Sequence, residues 1–455
     1  DFTFKFKDYD EAYVLNDVID IRRNSKYVMV EDDEDEEDDD EGAKKKLHQK
    51  FLKTAKEFET THVKIINKSV FVKKTDTEMI IMSKSQMITS YEHINYGSKN
   101  KPKPFINKWL NCNNDIRYYD DMEVYPNPAL CPPKIFNMWI PFRCETFKTP
   151  YVENIIGRDF VLDHIKVLCN YEEEVYNYFI KWIAQMIQYP EIKTIMITMI
   201  SKQGAGKNTF IRLMKLMLGV EKVMETSNPS RDVWGNFNGA MTNSFLVNLN
   251  ELSKKDTMEA EGKIKALITD SALTINNKGV NQYTIQSHHR FFGATNVSSG
   301  GIKTTADDRR NLMIRCSDSK IGDKLYFNEL NAYLDDENVV RTLYDYFKGI
   351  PDMDKFGLIP IPKTEYQNNL KEESKPVIEQ WLEDFTRRHD DDKIVEMLGK
   401  ETYEDFNIWI NSNNVSYDTT PTKLGVALSN LQVKGGITRG RHTKNGDTKF
   451  FNIPI

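Results

Sequence analysis

The residues that most constrain this chain are Ser201, Lys202, Gln203, Gly204, Ala205, Gly206, Lys207, Asn208 and Thr209, which separate two segments of different periodicity. Before them, residues 195–200 (IMITMI) form a short unbroken apolar run, the pattern of a buried strand. After them, residues 208–218 (NTFIRLMKLML) carry apolar side chains at helical spacing and stop at Gly219. A glycine-rich turn between strand and helix presents backbone N–H groups and a helix amino terminus to phosphates, and Lys207 reaches the β- and γ-phosphates. The segment departs from G-x-x-x-x-G-K-[ST] in two places. Ser201 holds the first glycine position and Asn208 the magnesium-ligand position, with a hydroxyl one place later at Thr209. An ordinary glycine turn is the competing reading. Strand, turn and helix together favour nucleotide binding.

With 455 residues the chain has room for two to four domains. It begins at Asp1 without a methionine, as expected of a piece of something longer. No signal peptide and no membrane-length apolar run is visible, so a soluble, intracellular protein is expected. The five cysteines, Cys112, Cys131, Cys144, Cys169 and Cys316, include no C-x-x-C pair, which argues against a zinc site or a disulfide framework. The net charge of −6 conceals an uninterrupted acidic run at 31–41; without its eleven charges the remainder stands at +5. A mildly basic body is compatible with a polyanionic partner. The acidic block reads as a solvated linker, or else a decoy for a DNA-binding surface or a docking tail.

Composition shifts suggest these divisions: a tail at 1–60, a small β-rich domain at 61–150, a helical collar at 151–190, an α/β domain at 191–350, a proline-containing linker at 351–375 and a small domain at 376–455. Within the β-rich part, residues 62–74 and 78–88 alternate as strands do. Asp121 and Glu123 resemble the paired carboxylates of a metal site, but no companion motif accompanies them, and a structural role is expected.

Four further signals follow the glycine turn. Residues 244–252 (SFLVNLNEL) form an apolar strand ending in Asn250 and Glu251. A carboxylate there can polarise a water and help hold magnesium, so Glu251 is the candidate catalytic base, while Asn250 stands where an acid is commoner. Residues 266–287 then read as a helix end and two strand-like arms around Lys278, Gly279 and Val280. Lys278 is either an ordinary surface lysine or a cation for a nucleic-acid phosphate. Next, the apolar stretch at 289–296 ends in Asn296, placed to orient water or sense a γ-phosphate. Finally, Asp307, Asp308, Arg309 and Arg310 precede another apolar segment. One arginine is a candidate finger reaching a neighbouring subunit's nucleotide, against the alternative of a surface salt bridge.

This order resembles the superfamily 3 helicases of DNA viruses, phages and plasmids, and most closely the helicase module of phage and large-DNA-virus primase-helicases of the poxvirus type. The likeness is carried by KQGAGKNTF (202–210), WGNFN (234–238), EGKIKALITD (261–270), NNKGVNQYTI (276–285), FFGATN, DDRR, NMWIPF (137–142) and WIAQMIQYP (182–190). It covers about 100–320 strongly, is weaker towards the carboxyl terminus and is absent before about residue 60. The resemblance implies an α/β, AAA+-like P-loop ATPase core forming a hexameric ring on single-stranded or forked DNA, with ATP and magnesium as cofactors. It further implies an upstream primase domain, other replication proteins as partners, no membrane association, and the host cytoplasm or nucleus as compartment. Lys207 and Glu251 would then serve hydrolysis, Thr209 and Glu251 the magnesium, Asn296 the sensor, Arg309 or Arg310 the trans-acting finger, and Lys278 the DNA contact. A nucleotide-gated DNA-binding or packaging scaffold that does not unwind is the alternative. An RNA helicase is a third possibility, because backbone contacts alone do not distinguish the sugar.

At the carboxyl end, 403–411 and 422–431 read as short helices and 437–453 as a hairpin turning at Asn445-Gly446. Helices followed by a basic hairpin suggest a winged-helix-like module, with Arg439, Arg441, Lys444 and Lys449 as phosphate contacts. A solvated basic hairpin is the competing reading.

Overall fold

In a computed structural model the described residues are 40–98, 100–111, 116–250, 254–296, 309–367, 376–389, 394–413, 415–431, 438–442 and 448–454. They fall into two compact units that divide between Tyr366 and Gln367.

The first unit opens with α1 (Asp40–Phe58), β1 (His62–Ile65), β2 (Val70–Lys74), β3 (Met79–Met82), α2 (Lys84–Tyr91), β4 (Asn95–Ser98), β5 (Lys101–Pro104) and α3 (Phe105–Asn111). Short strands β6 (Tyr118–Tyr119), β7 (Asp121–Glu123) and β8 (Ile135–Asn137) follow. Helix α1 corrects the expectation of a tail through residue 60. Phe51, Ala55 and Phe58 are buried against Phe105 and Trp109, a stripe too short to show above the charged residues that surround it. The 78–88 stretch is not all strand either. Ser83 and Gln86 form a capping box, with Ser83 N–H donating to Gln86 Oε1 (2.8 Å) and Gln86 N–H to Ser83 Oγ (3.3 Å), which starts α2.

Next come α4 (Ile155–Leu168) and α5 (Glu173–Gln188), two helices within the expected collar at 151–190. Asn170 and Tyr171 adopt positive φ (52° and 60°) and separate the two helices. Then follow β9 (Met196–Ile200), α6 (Lys207–Leu218), β10 (Val223–Thr226), α7 (Pro229–Asp232), β11 (Leu246–Asn250), α8 (Lys254–Thr269), β12 (Ala272–Ile275), β13 (Tyr283–Gln286), β14 (Arg290–Thr295), β15 (Asn311–Arg315), α9 (Lys324–Asp335) and α10 (Glu337–Lys348).

Strands β10, β11, β14, β9 and β15 pair in that order, all in parallel, so their apolar runs are buried from both sides. On one face Ile197, Met199, Leu246, Phe292 and Leu312 share a core with helices α4, α5, α6 and α10. On the other, Met196, Val247, Leu249 and Phe291 pack with the β1–β3 sheet and the β12–β13 hairpin. These cores run across positions 150 and 190 without interruption. The expected linker is also partly core, because Met353 and Phe356 are buried with α5 and Thr364 Oγ1 donates to Met313 O (2.8 Å).

The second unit comprises α11 (Val377–Arg388), β16 (Ile394–Leu398), α12 (Gly399–Ser412), α13 (Pro421–Asn430), β17 (Thr438–His442) and β18 (Thr448–Pro454). Strand β18 is central in an antiparallel sheet ordered β16-β18-β17. Trp381, Phe385, Phe406, Leu428 and Ile453 form its core, and Asp405 accepts from Trp381 Nε1 (2.7 Å) and from both terminal nitrogens of Arg388 (3.0 and 2.8 Å). Strands β17 and β18 pair as the arms of the expected hairpin, whose turn at 445–446 lies outside the described residues. The β16 strand was not legible.

Candidate nucleotide and nucleic-acid sites

In open parallel sheets ligands bind beyond the carboxyl ends of the strands, where the direction of winding changes. Here the chain leaves β9 for the far edge at β10, returns through β11 and β14, and then crosses to β15 on the other side of β9. Residues 201–206 stand at that point, between β9 and α6.

The loop's shape depends on its glycines. Gly204 and Gly206 adopt φ of 84° and 99°. A Cβ on Gly206 would lie 2.4 Å from His164 Cε1, so both the dihedral and the space require glycine. His164 Nε2 donates to Gly206 O (3.4 Å), which leaves Nδ1 to accept from Tyr326 OH (2.9 Å). Burial pushes this imidazole down to about 4, so it stays neutral as the geometry requires. Helix α6 begins at Lys207, and its first N–H groups have no intrahelical acceptor.

Lys207 Nζ donates to Ser201 Oγ (2.5 Å), Ser201 O (3.2 Å) and Thr295 O (3.2 Å). Half-burial lowers its pKa, which the Cys316 sulfur partly offsets. A cation held by neutral acceptors at a helix amino terminus is chemically suited to an anion. The residues present therefore fit a nucleotide phosphate. Lys202 is instead paired outwards with Asp318 (2.8 Å).

Among the other expected site residues, Asn250 ends β11, and Asn296 follows β14 directly after Thr295. Glu251 lies outside the described residues. Thr209 occupies the first turn of α6, its N–H donating to Gly206 O (3.0 Å). Arg309 and Arg310 precede β15, and Asn311 is paired with Met196, so both arginines sit at the amino ends of the strands. The length of β9, about 16 Å at ~3.3 Å per residue, separates them from the glycine loop of their own chain.

Lys278 is exposed at the tip of the hairpin formed by β12 and β13, beside Gly279 with φ of 80°. The hairpin is fixed to the 234–238 loop. Asn238 Nδ2 donates to Thr274 O (2.9 Å), Asn276 N–H to Asn238 Oδ1 (2.9 Å) and Asn276 Nδ2 to Asn236 O (2.5 Å). Sequence reasoning passed over Phe237 in that loop, which is 60% exposed. An aromatic between two asparagines in WGNFN was its only signal.

Asp121 and Glu123 serve structure. Lys68 donates to Asp121 Oδ1 (2.5 Å), and Glu123 Oε1 accepts from Val124 N–H (2.8 Å) and Gln286 N–H (2.7 Å). Among the described residues there is no metal-binding cluster of histidine, cysteine or carboxylate side chains, the described cysteines are free, and no helix is long and apolar enough to cross a membrane. Arg439, Arg441 and Lys449 lie on β17 and β18; Lys444 lies outside the described residues.

A family model described as a family of unknown function, DUF5906, matches residues 199–310, the stretch from the end of β9 through the glycine loop to the arginine pair. The DNA primase-polymerase of Nitratiruptor phage NrS-1 is 25% identical over 224 residues, 49% of this chain. The match spans only 30% of that relative's length. An apo structure of the NrS-1 C-terminal region shares the fold at TM-score 0.63 and 17% identity, covering 90% of this chain and 100% of that one. A second apo form superposes at TM-score 0.57 and 19% identity, covering 81% and 83%. The chain is thus an α/β protein similar to the carboxyl-terminal part of a phage replication enzyme.

Proposed function

We propose that this chain is the ATP-dependent DNA helicase module of a primase-helicase, working as a homo-oligomeric ring of AAA+-like subunits on single-stranded DNA. The observation that carries this reading is the triply coordinated Lys207 at a glycine-shaped helix amino terminus, at the winding reversal of a parallel sheet.

Loop residues 201–209 would hold the phosphates of ATP, with Lys207 as the counter-charge. Thr209 and Glu251 would hold magnesium, Glu251 would polarise the attacking water, and Asn296 would orient it. Bound magnesium neutralises charge on the phosphates. The remote position of Arg309 and Arg310 supports action on a neighbouring subunit's nucleotide rather than on their own.

Strand β14 gives this reading a mechanical route. It begins where the hairpin ends, and its last carbonyl, Thr295 O, accepts from Lys207. One rigid strand thus joins the root of the lysine hairpin to the phosphate lysine. Lys278 would contact a DNA phosphate, and the exposed Phe237 ring nearby offers a stacking surface for a base. The second unit, three helices on a three-stranded sheet with a basic hairpin, is read as a winged-helix-like contact for duplex phosphates through Arg439, Arg441, Lys444 and Lys449.

Displacement of a labelled strand from a forked DNA, with ATP and magnesium, tests the proposal. Unwinding by the chain is expected, and Arg310→Ala subunits mixed into wild-type rings should suppress it more than dilution does. ATP and DNA binding without turnover or displacement would favour the scaffold reading, which Asn208 in the usual magnesium-ligand position supports. Stronger displacement of an RNA duplex would reassign the substrate.

A further inference from the structure

The asparagine at the end of β11 is the least expected residue of the site, and its surroundings account for it. Side chains 246, 248 and 250 of β11 share the face that α6 covers, while Val247 and Leu249 lie in the opposite core. On that face Glu225 of β10 stands directly across from Asn248. Glu225 Oε1 accepts from Lys215 Nζ of α6, and its Oε2 accepts from Asn248 Nδ2 (3.3 Å) and Asn250 Nδ2 (3.3 Å). Asn248 Nδ2 also donates to Asn250 Oδ1 (2.8 Å).

The carboxylate fixes both amide orientations, because a turned amide would set its oxygen against Glu225. Asn250 therefore has its oxygen and its nitrogen both engaged within the protein. Burial raises the Glu225 pKa, and the donors from Lys215, Asn250 and Asn248 outweigh it, leaving the carboxyl below its usual range. An aspartate at position 250 would lose the donated N–H and bring a second negative charge to about the same separation.

We infer that Glu225 and Asn250 are a positioning pair. The carboxylate on β10 and the amide on β11 together brace the phosphate-loop helix, through Lys215, against the strand end that leads to the hydrolytic residues. Asn250 is then neither a magnesium ligand nor a degraded one, and an aspartate is excluded from its position while Glu225 is present. The functional half of this inference rests on the ATPase reading of the loop; the structural half does not.

The test is a double-mutant cycle on the full chain with Asn250→Asp, Glu225→Gln and both together, read by urea midpoint without nucleotide and by magnesium-dependent ATP turnover. In the double variant the amide introduced at position 225 donates its N–H to the carboxylate introduced at position 250 while its oxygen still accepts from Lys215, and Asn248 Nδ2 loses its bond to position 225 but keeps the one to position 250. The pair is then rebuilt with its roles exchanged. Each single variant is expected to unfold at lower urea and to turn over about tenfold more slowly, as when a supporting contact to a site is lost. The double variant is expected to recover most of both. An Asn250→Asp chain as stable and active as wild type, or more so, would overturn the pairing. Recovery of stability without recovery of turnover would overturn its positioning role. If the wild-type chain hydrolyses no ATP, the ATPase reading fails on its own, and the urea cycle still decides whether the two side chains are coupled.

Discussion

The two ends of β14 hold a cation against carbonyl oxygens, and they do so to opposite effect. At its first residue Arg290 is fully buried. Its NH1 donates to His288 O (3.1 Å), and its NH2 donates to Tyr189 O (3.2 Å), Gln185 Oε1 (3.4 Å) and Ile192 O, which ties the end of α5 to the sheet. Burial draws even this guanidinium down to about 9. At the last residue Thr295 O accepts from Lys207, which is only half-buried and whose other partners belong to its own loop. Arg290's contacts join separate elements and leave no place for a ligand. Two of the three contacts of Lys207 stay within its own loop, at the open end of the sheet, where under the proposed function phosphate oxygens would take them over. A buried cation with carbonyl partners is thus not in itself a functional signal; whether its partners can be exchanged decides.

That contrast can be broken first at the closed end. Arg290→Ala removes the bonds to several carbonyls and leaves a cavity, with an expected loss of about 4 kcal/mol in urea unfolding. An unchanged midpoint would make Arg290 as replaceable as Lys207. Its neighbour His289 donates from Nε2 to Met241 O (2.8 Å) and accepts at Nδ1 from Ser287 Oγ (3.1 Å). Complete burial pushes its pKa down to about 4. The unfolded value is near 6.5, so protons favour the unfolded chain. Stability is whole above about pH 6.5 and falls as the pH approaches 4, by at most about 3 kcal/mol from this group. Urea midpoints from pH 7 to 4.5 should decline in wild type and decline less in His289→Gln; parallel curves would remove His289 from the closed end's account. At the open end, Gly206→Ala meets both an unfavourable φ and His164, and about 2 kcal/mol of lost stability is expected together with weaker nucleotide binding. Normal binding by that variant would show that the loop has room the structure denies it.

The two ends also differ in how far they could be read from sequence. The open end was legible because a strand period, a glycine pair and a helix period follow one another within 24 residues, 195–218, and each is local. The lysine hairpin was legible for the same reason. The closed end was not: Arg290 looks like a surface residue in HHRFFGATN, and only the distant carbonyls at 189 and 192 make it a core one. Asn250 was noticed as a departure, but its explanation is Glu225, which reaches it only through the pairing of β10 with β11. Helix α1 was missed because its apolar residues are few among charged ones, and strand β16 because the strand it pairs with, β18, lies far along the chain.

The most direct test of the account is ATP hydrolysis with and without single-stranded DNA, measured together for wild type, Lys207→Ala and Lys278→Ala. The wild-type chain should hydrolyse ATP faster when DNA is added. Lys207→Ala should lose about 10²-fold or more under both conditions while keeping its unfolding midpoint. Lys278→Ala should keep the DNA-free rate and lose most of the stimulation. Wild-type turnover by Lys207→Ala would contradict the central claim that the loop at 201–209 is the site of an ATP-driven motor.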